Sequence, residues 1–178
     1  NAGLDTTICI GDSTMLIAME GDNYLWSNGA TTQSITVSPE DDTMYTVEVT
    51  NDGCDQVATD DVWVFVQEYP TASYGFDHTN LGQPIQFTDS STVAPLYSWD
   101  WDFGDGNTSS EQNPIHDYDE AGEYAVTLTV STSAGCSDDT TMVLPVEEFF
   151  IITNVLTPNG DNINDYVWIT SSLADVIE

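Results

Sequence analysis

Short runs of alternating apolar and polar residues, separated by turn-forming residues, extend over most of this chain. In residues 99–103 three aromatic side chains alternate with two aspartates, which gives one strand an apolar face and a polar face. Residues 124–130 alternate in the same way, with aliphatic side chains at every second position. Between these runs, residues 104–107 are of the types that reach positive φ at least cost, so we expect a hairpin there. The pattern predicts the core of a β-sandwich rather than an active site.

Three ordered motifs make this segment more specific. They are WDFGDG at 101–106, NPIHDY at 113–118 and AGEY at 121–124. Tyr124 stands where a strand begins, as in the tyrosine corner of immunoglobulin-like sandwiches. Together the motifs resemble the PKD (polycystic kidney disease) domain, and the resemblance extends over residues 69–146. It implies a non-catalytic β-sandwich of an extracellular protein that serves spacing, adhesion or display.

An internal repeat predicts a second sandwich before this one. Residues 45–54 and 124–136 each start a strand-like run with tyrosine and end in a Gly-Cys turn. Residues 1–68 leave room for about seven short strands separated by turns. YLWSNGATT at 24–32, followed by ITVSP and YTVEV, resembles the immunoglobulin-like repeats of secreted Bacteroidetes surface proteins.

The chain has three cysteines. The resemblance of the first unit implies a disulfide between Cys9 and Cys54. In the chain-entropy model a bridge closing that loop contributes roughly 4 kcal/mol, and a bridge fits an oxidising compartment. Cys136 is then left over, either as a buried thiol or as an intermolecular link.

The last part of the chain contains a further motif. IITNVLTPNGDNINDY at 151–166 resembles the start of the gliding-motility-associated C-terminal domain that directs cargo to the type IX secretion system. Asn162 stands where that family usually has glycine, and the later aromatic motif of the family does not follow. The sequence therefore predicts an all-β chain. It comprises tandem immunoglobulin-like β-sandwiches at 1–68 and 69–147 and a truncated C-terminal β segment at 148–178.

The charge of the chain is extreme. It has 31 aspartates and glutamates, no lysine or arginine and a formal net charge of −31, where ordinary usage would supply about 20 basic residues. Binding to nucleic acids or to anionic membranes is not expected, because both are bound through Lys and Arg. Self-repulsion predicts an environment rich in salt or divalent cations. No apolar run reaches about 18 residues and Asn1 is not an initiator, so we expect neither a membrane span nor a signal peptide.

Motifs for catalysis are missing from the sequence. It contains no GxSxG, HExxH or CxxC motif and no Gly-rich phosphate loop opening a helix. His78 and His116 are the side chains whose ordinary pKa lies near neutrality. His116 stands two residues before Tyr118, at a packing position in the PKD resemblance. We therefore expect no enzyme activity and no required cofactor.

Calcium binding is the alternative role for the carboxylates, because Ca²⁺ takes several oxygen ligands at once. Asp161, Asn164 and Asp165 crowd oxygens around a glycine-containing loop and form the candidate metal site. Ile163, however, stands where an EF-hand loop needs an oxygen ligand. Asp100, Asp102 and Asp105 form an acidic ladder, and strand alternation and turn chemistry explain these three aspartates without a metal ion.

Some segments carry more apolar surface than a two-layer sandwich needs. In VWVFV at 62–66 both faces of the strand are apolar. We expect the excess aromatic side chains to form an interface, either between consecutive domains of one chain or between subunits. The predicted interface residues are Trp63, Phe65, Phe149, Phe150 and Trp168.

These features predict non-catalytic extracellular modules of a type IX-secreted cell-surface adhesin or extracellular filament protein. The modules would act in the stalk, in assembly and in attachment. Their partners would be neighbouring modules, further copies of the chain, and surface glycans or other cells. The alternative is an accessory module, carbohydrate-binding or spacer, of a secreted polysaccharide- or protein-degrading enzyme, in which exposed aromatic rings stack on sugars.

Overall fold

The computed structural model describes residues 2–92 and 95–148, with only the backbone described for Cys54 and Asp55. Over these residues the chain forms thirteen β-strands and no helix, as the alternating pattern predicted. The described part of the chain accordingly has no helix long and apolar enough to cross a membrane.

The first sandwich comprises six strands. They are β1 (Thr6–Cys9), β2 (Thr14–Ile17), β3 (Asn23–Trp26), β4 (Ser34–Val37), β5 (Thr43–Asn51) and β6 (Cys54–Gln67). One sheet has the order β1-β6-β5-β3, with β1 parallel to β6, and β2 and β4 form the opposing sheet. The sequence left room for about seven short strands, and the structure has six, of which β6 alone extends over 14 residues.

The core of the first sandwich is aliphatic and surrounds one tryptophan. Trp26 is 1% exposed, and its indole N–H donates to the carbonyl of Thr32 at 2.9 Å. Val47, Val62 and Val64 are fully buried in the same core. Because side chains alternate along β6, burial of its valines directs the intervening residues away from this core.

The second sandwich comprises seven strands. They are β7 (Tyr74–Phe76), β8 (Ile85–Asp89), β9 (Leu96–Asp102), β10 (Thr108–Ser109), β11 (Ile115–His116), β12 (Gly122–Thr132) and β13 (Ser137–Val146). One sheet has the order β10-β9-β12-β13 and the other has the order β11-β8-β7.

Aromatic side chains dominate the core of the second sandwich. Trp101 and Phe103 are 0% and 2% exposed, which confirms the predicted apolar face of β9. Both pack against Phe87, with ring centroids 5.6 Å and 5.3 Å apart. Trp99 lies at the margin of the core, half-buried, and its indole N–H donates to the carboxylate of Asp89 at 2.8 Å. The aliphatic positions of β12 are fully buried, also as predicted.

The hairpin after β9 and the tyrosine corner are both confirmed. The N–H of Phe103 donates to the carbonyl of Asn107 at 3.1 Å and closes the turn. Gly104 has a φ of 78° within this turn. The hydroxyl of Tyr124 donates to the carbonyl of Glu120 at 2.9 Å, the upstream backbone contact that defines a tyrosine corner.

The predicted repeat corresponds to the long antiparallel hairpins β5–β6 and β12–β13. Their turns contain Gly53 and Gly135, with φ of 84° and 87°. The buried residues form two separate cores, one drawn from residues 2–64 and the other from residues 72–146. Both sandwiches lie within one compact unit, Asn1–Glu147. The domain boundary after residue 68 stays a prediction.

Candidate functional site at the junction of the two sandwiches

A disulfide bond joins the two sandwiches. It links Cys9, the last residue of β1, to Cys136, in the turn between β12 and β13. Both cysteines are buried, with Cys9 7% exposed and Cys136 0% exposed. The bridge spans a sequence separation of 127 residues, for which the chain-entropy model gives a stabilisation of about 5 kcal/mol.

The predicted bridge between Cys9 and Cys54 is therefore wrong. Cys9 pairs with Gln67 at the C-terminal end of β6, whereas Cys54 is the first residue of that strand. A strand of 14 residues is about 45 Å long, and a disulfide needs Cα atoms within about 7 Å of each other. Cys136 is accordingly neither a free buried thiol nor an intermolecular link in this structure.

Hydrogen bonds hold the linker between the sandwiches at both of its ends. The N–H of Ile10 donates to the carbonyl of Gln67 at 2.9 Å, and this carbonyl oxygen lies 3.9 Å from Sγ of Cys136. Further along, the N–H of Ala72 donates to the carboxylate of Asp138 at 2.8 Å. The first sandwich thus fixes the start of the linker, and the second sandwich fixes its end.

Sequence reasoning missed this pairing although one signal was present. The repeat puts Cys54 and Cys136 in equivalent Gly-Cys turns, so Cys9 could have paired with either of them. Which turn lies beside the end of β1 depends on how the two sandwiches meet. No local sequence pattern predicts the contact between the end of β1 and a turn of the second sandwich.

His116 and Asp105 form the closest pair of titratable side chains at the hairpin. Nε2 of His116 lies 2.7 Å from Oδ2 of Asp105, and the imidazole stacks on Phe103 with centroids 4.0 Å apart. Tyr118 packs edge-on against His116, and its hydroxyl donates to the carbonyl of Phe103 at 2.8 Å. These contacts confirm that His116 occupies a packing position.

The ionisation states of this cluster suit a structural role. Burial raises the pKa of Asp105, but hydrogen bonds from Asn107 and His116 outweigh it, so the pKa lies below its ordinary value. Burial raises the pKa of Tyr118, and the nearby charge of Asp105 raises it further. At neutral pH Asp105 is therefore ionised and Tyr118 keeps its proton, and both side chains serve as hydrogen-bond partners within the fold.

The predicted calcium ligands fall on residues outside the described part of the chain. These ligands are Asp161, Asn164 and Asp165. In the acidic ladder, the carboxylates of Asp102 and Asp105 accept hydrogen bonds from turn N–H groups, each at 2.9 Å, in agreement with the predicted turn chemistry. Within residues 2–92 and 95–148, no group of three or more His, Cys, Asp or Glu side chains could hold a metal ion.

Trp63 and Phe65 lie next to each other on the outer face of β6. They are 38% and 39% exposed, their ring centroids are 5.8 Å apart, and their planes differ by 9°. Met44, opposite Trp63 on β5, is 45% exposed and extends this apolar surface. Phe149, Phe150 and Trp168 lie outside the described residues. The predicted interface role of these five aromatic residues stays a prediction.

Comparison with known proteins supports the interpretation of the second sandwich. Residues 67–146 match the family model of the PKD domain. The pre-pro-metalloprotease PrtV of Vibrio cholerae serotype O1 (strain M66-2) is 37% identical over 78 residues, which is 44% of this chain and 8% of that protein. Collagenase ColA of Bacillus cereus is 45% identical over 58 residues, which is 31% of this chain and 6% of that protein. The chain therefore spans less than a tenth of these relatives.

A solved structure extends the likeness beyond the PKD match. The N-terminal eight Ig domains of Down Syndrome Cell Adhesion Molecule (DSCAM) isoform 1.30.30 give a TM-score of 0.54 at 17% identity, covering 81% of this chain and 23% of that chain. This likeness shows the fold alone. The chain is thus an all-β protein with immunoglobulin-like β-sandwiches. Its residues 67–146 are similar to the PKD domain.

Proposed function

We propose that this chain is a non-catalytic, extracellular stalk and assembly segment of a cell-surface adhesin or extracellular filament protein. The observation that carries the proposal is the disulfide between Cys9 and Cys136, which ties one sandwich to the next. A covalent bond between modules makes a stalk more resistant to bending and unfolding. Catalysis on a bound molecule does not require such a bond. Disulfides persist in oxidising compartments, which supports an extracellular location.

Export through the type IX route of a Bacteroidetes cell, with a role in gliding motility or attachment, is part of this proposal. It is supported by the resemblance of residues 151–166 to the sorting domain. The proposed partners are neighbouring modules, further copies of the chain, and surface glycans or other cells. Nucleic acids are not among them, because a chain with 31 carboxylates and no Lys or Arg repels phosphates.

Small-angle X-ray scattering of cysteine variants tests the stalk role. The double variant Cys9→Ser/Cys136→Ser should show a broader distribution of interatomic distances, because the sandwiches are then joined only by the linker. Cys54→Ser is the matched control and should keep the wild-type profile. If the double variant scatters like the wild type, the stalk role is contradicted. Antibody labelling of intact cells tests the location, and label found only after lysis would argue against surface display.

The second candidate function is an accessory module of a secreted polysaccharide- or protein-degrading enzyme. It is favoured by the two relatives, which are named as a metalloprotease and a collagenase. Binding of the full chain to collagen fibrils or to a glycan array, lost in Trp63→Ser, would support this candidate. Self-assembly or cell-surface labelling without such binding would support the adhesin.

A further inference from the structure

Cys54 has no cysteine left to bond with inside this chain. The sequence has three cysteines, and Cys9 and Cys136 are joined to each other. In an oxidising compartment a leftover cysteine is either a reactive thiol or one half of a bond to a residue outside the chain. The internal repeat distinguishes these two cases, because it contains an equivalent cysteine whose partner is Cys9.

The backbone position of Cys54 in the first sandwich matches that of Cys136 in the second. Each cysteine directly follows a glycine of positive φ at the tip of the long hairpin of its sandwich. The tyrosine that begins the repeat lies opposite Val62 in the hairpin β5–β6 and opposite Leu144 in the hairpin β12–β13. Cys54 and Cys136 precede these two buried residues by the same number of positions. The two hairpin tips are therefore equivalent, and the tip of the second sandwich is bonded to the sandwich that precedes it.

The position of Cys9 is repeated as well. Cys9 pairs in parallel with Gln67, the last residue of β6, and Asn80 forms a parallel bridge with Glu147, directly after β13. In both sandwiches the N–H of the following residue donates to that carbonyl, at 2.9 Å and 2.8 Å. Asn80 thus occupies in the second sandwich the position that Cys9 occupies in the first. The repeat therefore offers a bond to a sandwich that precedes the first one, but no such bond to a sandwich that follows the second.

The chain enters each sandwich from the end at which the hairpin tip lies. The N–H of Ala72, before the second sandwich, donates to the carboxylate of Asp138 near the start of β13. The N–H of Ala2 donates in the same way to the carboxylate of Asp60 in β6, at 2.6 Å. Because β1 runs parallel to β6, the chain before Ala2 comes from the direction of Cys54, the first residue of β6. A sandwich that precedes the first one is thereby directed towards the tip that carries Cys54.

We propose that Cys54 forms a disulfide with a cysteine of a further β-sandwich that precedes the first one in the polypeptide. The partner cysteine occupies the position of Cys9 in that sandwich, at the end of the strand that pairs in parallel with its last long strand. The two Sγ atoms form the bond, and the two thiols lose two protons and two electrons, which reduce the disulfide of an oxidoreductase in the oxidising compartment to a dithiol. The proposal rests on the proposed stalk function, and in such a stalk each hairpin tip is bonded to the sandwich before it.

The repeat favours a preceding sandwich over a second copy of this chain as the partner. In a second copy Cys9 and Cys136 already form a bond, so Cys54 is the cysteine left to react. A bond between two Cys54 residues would join one hairpin tip to another hairpin tip. The tip that carries Cys136 is bonded instead to the end of the first strand of a sandwich. A bond between two tips therefore does not reproduce the repeat.

Peptide mapping without reduction tests the proposal on the intact protein isolated from the cells that produce it. Free thiols are alkylated first, and an Asp- or Glu-specific protease then cleaves the chain. The peptide that contains Cys54 should be recovered linked to a peptide from a preceding part of the same polypeptide. Recovery of Cys54 as an alkylated thiol, linked to a second Cys54 or linked to a different protein overturns the proposal.

A tandem chain reproduces the proposed junction in vitro. Residues 1–71 are placed directly before residue 1 of the full chain, which gives the two Cys9 positions the same spacing as Cys9 and Asn80. The added sandwich has a core of its own, carries Cys54→Ser so that one Cys54 remains, and carries Thr7→Ser at an exposed position as a mass label. The tandem chain should have no free thiol, against one in the wild type, and the labelled Cys9 peptide should be linked to Cys54.

The matched control is the same tandem chain with Cys9→Ser in the added sandwich, and it should have one free thiol. If the tandem chain with both Cys9 residues keeps Cys54 as a free thiol, the proposal is overturned. The scattering test of Cys9→Ser/Cys136→Ser does not involve Cys54. A broadened scattering profile in that test, together with a free Cys54 in this one, would contradict the bond at Cys54 and leave the stalk function standing.

Discussion

The turn after β9 depends on glycine at position 104. Gly104 has a φ of +78°, and a Cβ there would lie 2.8 Å and 2.9 Å from the backbone O and N of Ala125. Gly104→Ala should therefore lower the free energy of unfolding by about 2–4 kcal/mol, through backbone strain and a forced shift of β12. Gly106→Ala is the control, since its φ is +93° but nothing lies within 4 Å of the added atom, and it should cost about 1 kcal/mol. If urea unfolding shows the same loss of free energy of unfolding in Gly104→Ala and Gly106→Ala, the close approach of position 104 to the backbone of Ala125 is contradicted.

The carboxylate of Asp105 should make stability depend on pH. Its pKa is lower in the folded chain than in the unfolded chain, so its contribution is complete above the unfolded pKa. That contribution is lost as pH falls from about 4 through the lower folded pKa. Asp105→Asn should lower the free energy of unfolding by about 1–3 kcal/mol at neutral pH, because the group accepts hydrogen bonds from Asn107 and His116 as an anion.

Urea unfolding of Asp105→Asn at neutral pH and at about pH 2 measures this effect, since the difference from the wild type should vanish in acid. Asp100→Asn, on the polar face of β9, is the matched control. If Asp105→Asn lowers the free energy of unfolding by the same amount at both pH values, the side chain of Asp105 stabilises the fold through its shape and not through its charge.

Strands were predictable from local sequence, whereas their partners across the molecule were not. The alternation in β9 and β12 and the glycine turn after Phe103 follow from side-chain direction and φ preference, which act over a few residues. The partner of Cys9 depends instead on the parallel pairing of β1 with the far end of β6. That pairing is a contact between residues about 58 positions apart, and it has no local signature.

Peptide mapping checks this contact between elements directly. Digestion under non-reducing conditions should release a peptide pair that joins Cys9 to Cys136, and Cys54 should react with a thiol reagent. The chain has no Lys or Arg, so trypsin has no cleavage site and a Glu- or Asp-specific protease is needed. A linked pair containing Cys9 and Cys54 would contradict the structure.

At the scale of the whole molecule, charge sets the conditions under which the fold is stable. Among the described residues, the side chains close enough to pair with carboxylates as cations when protonated are His78 and His116, because the chain has no Lys or Arg. No Asp or Glu side chain of the described residues is buried, so these acidic side chains lie on or near the surface. Their mutual repulsion is weakened by ions in solution rather than by basic side chains.

Salt should therefore raise the melting temperature. Between about 0.01 M and 1 M NaCl the Debye length falls from ~30 Å to ~3 Å, and screening worth about 2 kcal/mol would raise Tm by about 4–8 °C for a chain of this size. Comparing Tm in MgCl₂ with Tm in CaCl₂ at matched ionic strength separates screening from binding at a specific site, since screening does not distinguish the two cations. A larger shift with Ca²⁺ that is lost in Asp161→Asn would support the predicted calcium site. A Tm that does not change with NaCl would mean that repulsion among 31 carboxylates is not a significant term in the stability of this fold.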